Sequence, residues 1–207
     1  LQEGINVDVI QDSLSNFMGL DRRMQILGKK EINNNNCVFI DDYGHHPTEI
    51  KATIETAKQL NPERLVCVFQ PHRYTRTKLM LDKFSGAFSG VDKLFITEVY
   101  AAGEAPIIGA DSNAIVESIR KSTDTEVELI QCFESAHHVI GAYIKPGDQV
   151  LILGAGNVHE IGSLLARDLE VIDKLRRELD DPMTECRLYE PMKRHTTLKV
   201  GGPAQYW

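Results

Sequence analysis

Two histidine-containing clusters of polar residues are the part of this 207-residue chain best suited to chemistry. The first occupies residues 41–46 (Asp-Asp-Tyr-Gly-His-His), and the second occupies residues 70–76 (Gln-Pro-His-Arg-Tyr-Thr-Arg). Histidine side chains coordinate metal ions, and arginine guanidinium groups bind carboxylates and phosphates through paired N–H donors. The two clusters therefore predict either a metal centre or a site for an anionic substrate.

The metal interpretation would use His45, His46 and His72 together with Asp42 as ligands. Neighbouring histidines on an extended loop point apart, and a catalytic zinc site normally gathers three ligands from defined spacings. We therefore expect no metal at this site. One of the two adjacent histidines has a structural alternative, because His46 is placed to cap the helix that Pro47 opens.

Arg73 and Arg76 favour anion binding instead. They are three positions apart and flank the predicted start of a helix at Thr75. Free backbone N–H groups at a helix N-terminus and two guanidinium groups together form a good site for a carboxylate or a phosphate. A solvated pair of charges is the ordinary alternative, but the position directly after a buried strand favours a functional role.

Strand and helix patterns alternate along the chain. Short apolar runs predict strands at 37–41, 65–69, 93–97, 127–131 and 149–153. Helical patterns and caps predict helices at 5–18, 47–60, 75–89, 111–121 and 135–144, and from about residue 158 onward. This alternation indicates βαβ units, and hence an α/β fold with a mostly parallel sheet covered by helices on both faces.

Three polar clusters directly follow three of these strands, at residues 41–46, 70–76 and 98–100. In open α/β sheets, ligands bind beyond the carboxyl ends of the strands. We therefore expect the three clusters to meet at one edge of the sheet.

A glycine-rich turn follows the last predicted strand, at residues 154–156 (Gly-Ala-Gly). It resembles the start of a dinucleotide fingerprint, but His159 stands where the third glycine belongs. We interpret it as a tight strand-to-helix turn rather than as an NAD site. The sequence also contains no GxxxxGK[ST] phosphate loop and no GxSxG nucleophile elbow.

Composition is that of a globular protein, with 42% hydrophobic and 26% charged residues, enough for one domain or two small ones. The net charge of −7 argues against a nucleic-acid partner, whose binding sites are normally basic. No apolar run has transmembrane length, and the first residues lack the pattern of a signal peptide. The missing initial Met and the abrupt end suggest a fragment.

The four cysteines, Cys37, Cys67, Cys132 and Cys186, form no CxxC pair. We expect buried structural thiols in a reducing compartment. Together with the absence of export and membrane signals, this predicts a cytoplasmic protein without a membrane partner.

Four motifs in order resemble those of the UDP-N-acetylmuramate–L-alanine ligases of the Mur ligase family. They are DDYGHHPTE at 41–49, FQPHRYTRT at 69–77, EVYAAGE at 98–104 and LGAGN at 153–157. Upstream, Gly19, Arg22 and Arg23 resemble the GxxRR tail of the family's ATP-binding central domain. The resemblance implies a Rossmann-like, mostly parallel six-stranded sheet, and it identifies the chain as the C-terminal domain of such a ligase.

The resemblance also implies a reaction and a set of roles. ATP phosphorylates the carboxylate of UDP-N-acetylmuramate, and the amine of L-alanine attacks the acyl phosphate, in peptidoglycan precursor synthesis. Asp42 would bind the ATP ribose and Arg23 the ATP phosphates. The muramoyl carboxylate and L-alanine would be surrounded by Tyr43 and by the four residues of the implied catalytic set, His45, His72, Arg73 and Arg76.

ATP and Mg²⁺ would be held mainly by the central domain, which the chain lacks, so the chain alone is predicted to be inactive. The ligase that recycles murein tripeptide is a close alternative, but it has Phe-Ala where this chain has Tyr43 and Gly44, and its second motif differs. A non-catalytic nucleotide-binding module and a pure interaction domain are further alternatives.

Residues 189–204 resemble the opening of UDP-N-acetylenolpyruvoylglucosamine reductases, which use FAD and NADPH to make UDP-N-acetylmuramate. A linker with a hairpin turn is the alternative. The resemblances divide the chain into a central-domain tail at 1–36, the ligase C-terminal domain at 37–168, a charged helical linker at 169–186 and a truncated reductase start at 187–207. We expect no FAD on this chain, because the flavin-contacting loops would lie beyond Trp207.

Overall fold

The computed structural model describes residues 4–17, 19–32 and 35–167. The strands of the described residues are β1 Gln25–Ile32, β2 Asn35–Asp42, β3 Arg64–Phe69, β4 Lys93–Ile96, β5 Glu126–Leu129 and β6 Asp148–Leu153. The helices are α1 Val7–Ser15, α2 Pro47–Lys58, α3 Tyr74–Phe84, α4 Ser112–Ser122 and α5 Ala136–Tyr143. A further helical segment covers residues 159–167.

The strands form one six-stranded sheet in the order β1-β2-β6-β3-β4-β5. Every neighbouring pair from β2 to β5 is parallel, and β1 pairs antiparallel with β2. The predicted fold class is confirmed. Because β6 inserts between β2 and β3, the carboxyl ends of these three strands lie side by side at the centre of one edge.

Helices cover both faces of the sheet, and the alternation of side chains along the strands shows how. On β3, Cys67 and Phe69 face α2, α3 and α4, whereas Val66 and Val68 face α5 and the 159–167 segment. All four side chains are fully buried. The continuous apolar strand therefore fits a position that is covered on both sides.

The antiparallel edge strand β1 is the element that the sequence pattern does not predict. Residues 25–32 (Gln-Ile-Leu-Gly-Lys-Lys-Glu-Ile) carry charges and a glycine, so they lack the apolar run of the central strands. An edge strand pairs on one side only and tolerates such residues. The predicted central-domain tail at 1–36 therefore contributes a strand to this sheet, with Gln25 opposite Asp41.

Two predicted helix starts are present with their caps. His46 precedes α2, its Nδ1 accepts the Thr48 N–H at 3.2 Å, and the Glu49 side chain accepts the His46 N–H at 3.1 Å. Asp111 caps α4 by accepting the Ala114 N–H. The expectation that His46 serves as a cap is confirmed, and this reciprocal arrangement fixes where the first polar cluster ends.

The predicted amphipathic helix near the start of the chain is present as α1, within the predicted range 5–18. Its apolar residues Val9 and Leu14, and the following Phe17, are each more than half exposed. None of the residues of α1 is buried. Across residues 4–17, 19–32 and 35–167, no helix is long and apolar enough to cross a bilayer.

Cysteine burial is confirmed at two positions and wrong at one. Cys37 and Cys67 are fully buried, and burial raises the pKa of the Cys67 thiol. Cys132 is exposed, because it lies in the loop after β5 rather than inside the strand run. Cys186, the predicted linker at 169–186 and the reductase-like residues lie outside the described residues.

Phe69 is the test of this core, because its ring packs on Phe84 and Phe88 at centroid distances of 5.6 and 5.1 Å. We expect Phe69→Ala to lower the free energy of unfolding of the chain by about 3–5 kcal/mol, measured by urea denaturation. Leu79→Ala is the control, since Leu79 is 81% exposed and should cost less than about 0.5 kcal/mol. Similar losses for the two variants would contradict the packing described here.

Candidate active site at the carboxyl edge of the sheet

The loops after β2, β3 and β4 meet at one edge of the sheet, as the spacing of the polar clusters predicts. The imidazole rings of His45 and His72 lie 5.6 Å apart between centroids. His72 in turn stacks on the ring of Tyr100, at 5.5 Å and an interplanar angle of 13°. The three clusters therefore form one continuous surface.

Asp42 organises the loop after β2 from within. Its Oδ2 accepts the Met24 N–H at 2.9 Å, and its Oδ1 accepts the Gly44 N–H at 2.8 Å and the Thr53 hydroxyl at 3.2 Å. The residue is 4% exposed. These bonds fix the turn that displays Tyr43 and His45. The assignment of Asp42 to the ATP ribose stays a prediction, and only the remaining acceptor capacity of this carboxylate could serve it.

Arg22 fastens the preceding turn to the strand ends. Its Nε lies 3.1 Å from Asp41 Oδ2, and its Nη2 donates to the Gly154 carbonyl. Burial raises the pKa of the Asp41 carboxyl, although the guanidinium of Arg22 opposes this shift. Pairing a buried carboxylate in this way avoids the cost of an isolated buried charge. The sequence pattern does not predict this bond. Its only sequence signals are the adjacent arginines at 22–23 and the adjacent aspartates at 41–42.

Arg23 and Tyr43 are the exposed members of this corner. The Arg23 guanidinium lies 5.7 Å from the centre of the Tyr43 ring, within the range of a cation–π contact. Tyr43 is 38% exposed, and its backbone N–H donates to the Arg22 carbonyl at 2.8 Å. Both side chains are accessible to a ligand, and their roles in binding substrate and ATP stay predictions.

His45 is held by its own loop. Its Nδ1 lies 3.0 Å from the Tyr43 carbonyl oxygen, so Nδ1 carries a proton and donates. Its backbone N–H donates to Glu49 Oε2 at 3.1 Å. Burial alone would raise the pKa of Glu49, but the N–H donors of His45 and His46 hold that pKa below its ordinary value.

His72 is a neutral imidazole in this arrangement. Arg76 Nη1 lies 3.1 Å from His72 Nδ1, and a guanidinium can only donate, so Nδ1 is the acceptor and the proton sits on Nε2. Burial lowers the pKa of His72, and the electrostatic influence of Arg76, His45 and Arg73 lowers it further. The site thus combines cationic guanidinium groups with an uncharged N–H donor.

Arg73 has an unusual backbone conformation, with φ +71° and ψ 133°, at the start of α3. Such conformations cost a residue with a side chain about 1–3 kcal/mol and persist where neighbouring bonds enforce them. Here the Arg73 N–H donates to the Tyr100 carbonyl at 2.9 Å, and its own carbonyl accepts the Thr77 N–H and hydroxyl at 3.1 Å each. The strain lies at a predicted catalytic residue.

The N-terminus of α3 binds a carboxylate, but one from the chain itself. Glu104 accepts the Thr75 N–H at 3.0 Å and the Thr75 hydroxyl at 2.6 Å. These bonds lower the pKa of Glu104. The expectation that this N–H is free for a substrate is wrong. Sequence reasoning placed Tyr100 and Glu104 in a motif without giving either a role.

The glycine turn at residues 154–156 is filled by protein atoms. The Val158 N–H donates to Gln70 Oε1 at 3.1 Å, and Gln70 Nε2 donates to Asn157 Oδ1 at 2.9 Å. A side chain at Gly156 would collide with Gln70 and with the Tyr100 ring. This geometry is that of the predicted tight turn and leaves the N–H of Val158 engaged.

Metal ligands do not gather in the described part of the chain, where no group of three or more His, Cys, Asp or Glu side chains could hold an ion. His46 is occupied as a helix cap, which removes one member of the ligand set considered from the sequence. The guanidinium groups of Arg73 and Arg76 at this edge are of the kind that binds carboxylates and phosphates.

These features define a class: an α/β domain that presents arginine and histidine side chains at the carboxyl edge of a parallel sheet. Residues 22–156 match the family model described as "Mur ligase, glutamate ligase domain". The chain belongs to this family.

Curated relatives include two proteins named UDP-N-acetylmuramate–L-alanine ligase. The one from Oleidesulfovibrio alaskensis is 42% identical over 163 residues, which is 78% of this chain and 35% of that protein. The one from Syntrophus aciditrophicus is 42% identical over 165 residues, 79% of this chain and 34% of that protein. The chain thus spans about a third of the length of these relatives.

Solved structures show the same fold. The UDP-N-acetylmuramate–alanine ligase of Thermotoga maritima is 26% identical with a TM-score of 0.66, covering 82% of this chain and 35% of that one. A murein peptide ligase from Psychrobacter arcticus is 22% identical with a TM-score of 0.58, covering 80% and 33%. The second likeness is one of fold alone.

The neutral state of His72 can be tested by NMR titration of the chain. We expect its pKa to lie below the ordinary value of about 6.5. We expect Arg76→Gln to raise that pKa, because a positive charge beside the imidazole is removed, while Lys121→Gln, at an exposed position of α4, leaves it unchanged. An unchanged pKa in Arg76→Gln would show that the Arg76–His72 bond is absent.

The same pKa shift has a consequence for stability. The unfolded chain keeps the ordinary pKa, so between the two values it binds more protons than the folded chain. His72 therefore contributes fully to the free energy of unfolding above about pH 6.5. This contribution is lost as the pH falls through the lower pKa of the folded chain.

Proposed function

We propose that this chain is the C-terminal domain of an ATP-dependent ligase that joins L-alanine to UDP-N-acetylmuramate in peptidoglycan precursor synthesis. The observation that supports it most directly is the cluster in which Arg76 holds His72 beside Arg73, at the edge where parallel sheets bind ligands. The relatives named for this activity support the choice of substrates.

In this proposal the domain supplies positive charge and N–H donors to the reacting groups. The carboxylate of UDP-N-acetylmuramate becomes an acyl phosphate at the expense of ATP, and the L-alanine amine displaces phosphate from it. Negative charge develops on oxygen in both steps. The guanidinium groups of Arg73 and Arg76 would stabilise that charge, since fixed cations aimed at a reacting oxygen need no reorganisation.

The two histidines would have different roles in the same space, because neutral His72 offers an N–H donor and His45, with its proton on Nδ1, offers an acceptor nitrogen when neutral. His72 presents Nε2–H because its Nδ1 is held by Arg76. His45 presents its Nε2 edge because its Nδ1 faces the Tyr43 carbonyl. The partly exposed ring of Tyr43 contacts His45 and the Arg23 guanidinium, and it would border the substrate. Closure of the domain over ATP would exclude water from these groups.

ATP and Mg²⁺ would be held mainly by the part of the ligase that this chain does not span. Arg23 is exposed and offers a guanidinium to the ATP phosphates. Asp42 is the proposed partner of the ribose hydroxyls, although three internal donors already use it. Mg²⁺ would need carboxylate ligands from elsewhere, because the described residues offer no converging set.

A murein tripeptide ligase is the second candidate activity, because a murein peptide ligase shares the fold. Tyr43 and Gly44 favour L-alanine addition. A side chain at Gly44 would lie 2.8 Å from Asp42 Oδ1, so it would require that carboxylate to shift. The two activities differ in their acceptor, so a single assay separates them.

The assay follows phosphate release from ATP by the complete ligase polypeptide with UDP-N-acetylmuramate, with and without L-alanine. We expect release to depend on L-alanine and to fall at least tenfold in Arg73→Ala, a loss of about 1.4 kcal/mol or more of transition-state stabilisation. Lys121→Ala is the matched control, because it removes an exposed positive charge on α4 away from the site.

The alternative outcomes separate the rival functions. Release that prefers murein tripeptide would assign the recycling activity instead. Full activity in Arg73→Ala would identify the cluster as a docking face. The chain by itself should release no phosphate above background, and turnover by a pure sample would contradict the need for a second domain.

We also propose that the complete gene product is bifunctional, with a reductase after the ligase. The support is the sequence of residues 189–204, which resembles the start of enzymes that make UDP-N-acetylmuramate with FAD and NADPH. Successive steps on one polypeptide would share this intermediate. We expect the complete gene product to carry flavin absorbance and the 207-residue chain to lack it, and a colourless complete product without NADPH oxidation would contradict the fusion.

A further inference from the structure

The loop after β4, residues 97–104, grips the loop after β3 at several points, yet none of its side chains has a role in the proposed reaction. Backbone bonds run in both directions, because the Tyr100 N–H donates to the Pro71 carbonyl at 2.8 Å and the Arg73 N–H donates to the Tyr100 carbonyl at 2.9 Å. Tyr100 also stacks on His72. The last point of contact is made by Glu104.

Glu104 reaches α3 from the neighbouring loop and accepts two hydrogen bonds from Thr75. Helices α2 and α4 take their caps from residues beside their first turn, His46 and Asp111. The residue before α3, Arg73, makes no such side-chain bond. This cap comes from 29 residues away and therefore does more than a local cap, because it ties the first turn of α3 to the loop after β4.

The tie acts on the residues that carry the proposed chemistry. Thr75 lies between Arg73 and Arg76, and Arg73 has a strained backbone that needs support from its surroundings. Arg76 in turn donates a hydrogen bond to Nδ1 of His72. Movement of Thr75 would therefore shift both guanidinium groups and, through Arg76, the imidazole.

We propose that Glu104 is a positioning residue for the ligation site: its carboxylate holds Thr75, and through it the orientation of Arg73, Arg76 and His72 toward the substrate. This inference rests on the proposed ligase function. Glu104 itself touches none of the reacting groups and acts only through α3.

Two substitutions at Glu104 weaken its contact with Thr75 to different degrees. Glu104→Gln keeps one acceptor oxygen and removes the charge, and Glu104→Ala removes both bonds. In the complete ligase polypeptide we expect kcat for L-alanine-dependent phosphate release to fall about tenfold in Glu104→Gln and about a hundredfold in Glu104→Ala, the scale of a misplacement near one ångström. The KM for ATP should change little, because ATP is bound mainly elsewhere.

A double-mutant cycle tests whether Glu104 acts through Thr75. Thr75→Val removes the hydroxyl donor and should lower kcat in the same direction. Since both substitutions break the same contact, the double variant Glu104→Ala/Thr75→Val should be no slower than Glu104→Ala alone. Glu117→Gln is the control, because it removes the same charge from an exposed position of α4.

The 207-residue chain provides a second measurement that does not depend on turnover. The groups that bear on the His72 charge are Arg76, His45 and Arg73, which lower its pKa, and Glu104, which raises it. By NMR, Glu104→Ala should reduce the hydrogen-exchange protection of the Thr75 amide and raise the His72 pKa, because Arg76 would no longer be held against the imidazole, while Glu117→Gln does neither. Loss of the Glu104 charge alone would lower that pKa, so a lower pKa with unchanged protection of the Thr75 amide would contradict the positioning role.

The outcomes are separable. A wild-type ligase without L-alanine-dependent turnover would contradict the proposed function, and the NMR experiment would then decide whether Glu104 orders α3 and His72. Wild-type kcat in Glu104→Ala would overturn the positioning role in an active enzyme. So would a loss of activity that only tracks a loss of folded protein in thermal unfolding, since Glu104 would then be a stabilising cap alone.

Discussion

The site depends on one parallel bridge between the loops that follow β3 and β4. It joins His72 to Tyr100 and is isolated from the strand pairing, which ends at Phe69 and Ile96. Backbone bonds of this kind are directional and leave little freedom in the chain that makes them. Because the bridge lies between the buried strands and α3, it sets both the height of His72 above the sheet and the entry angle of the helix that carries Arg76.

Charge is arranged around this bridge against the overall balance of the chain. The net charge is −7, yet Arg22, Arg23, Arg73 and Arg76 all belong to the loops of one edge. Local concentration of one sign decides what binds, whatever the sum over the chain. A neutral His72 fits this setting, because a third cation beside Arg73 and Arg76 would add repulsion. Protonation would also bring no further N–H toward a ligand, since the neutral imidazole already presents Nε2–H.

Local patterns were sufficient to predict the elements that bury apolar surface. The strands from β2 to β6 and the helices between them have runs, caps and periodicities of their own, and convergence at the carboxyl edge follows from parallel topology alone. Strand β1 was missed because an edge strand can be polar, so its place in the sheet comes from pairing with β2 and not from its own residues. The exposed Cys132 shows the same limit, since an apolar neighbourhood in sequence need not be a buried one in space.

Within the site, residue types were predictable and their division of labour was not. Asp42 and Asp41 look alike in the sequence, but the first orders a turn through three donors while the second pairs with Arg22. The cap of α3 is a residue 29 positions away, so no window along the chain could reveal it. Contacts of this kind are set by the packing of neighbouring loops.

The arrangement separates groups that build the surface from groups that the surface presents. The buried groups are Asp41, Asp42 and Gln70, whose polar atoms bond mainly to other parts of the chain. The exposed groups are Tyr43, Arg23 and Arg73. Buried partners resist rearrangement because breaking them would leave polar groups unsatisfied. A rigid base with exposed cations would suit the domain closure that we propose, since the orientation of the donors would already be fixed when closure brought them to a reacting carboxylate.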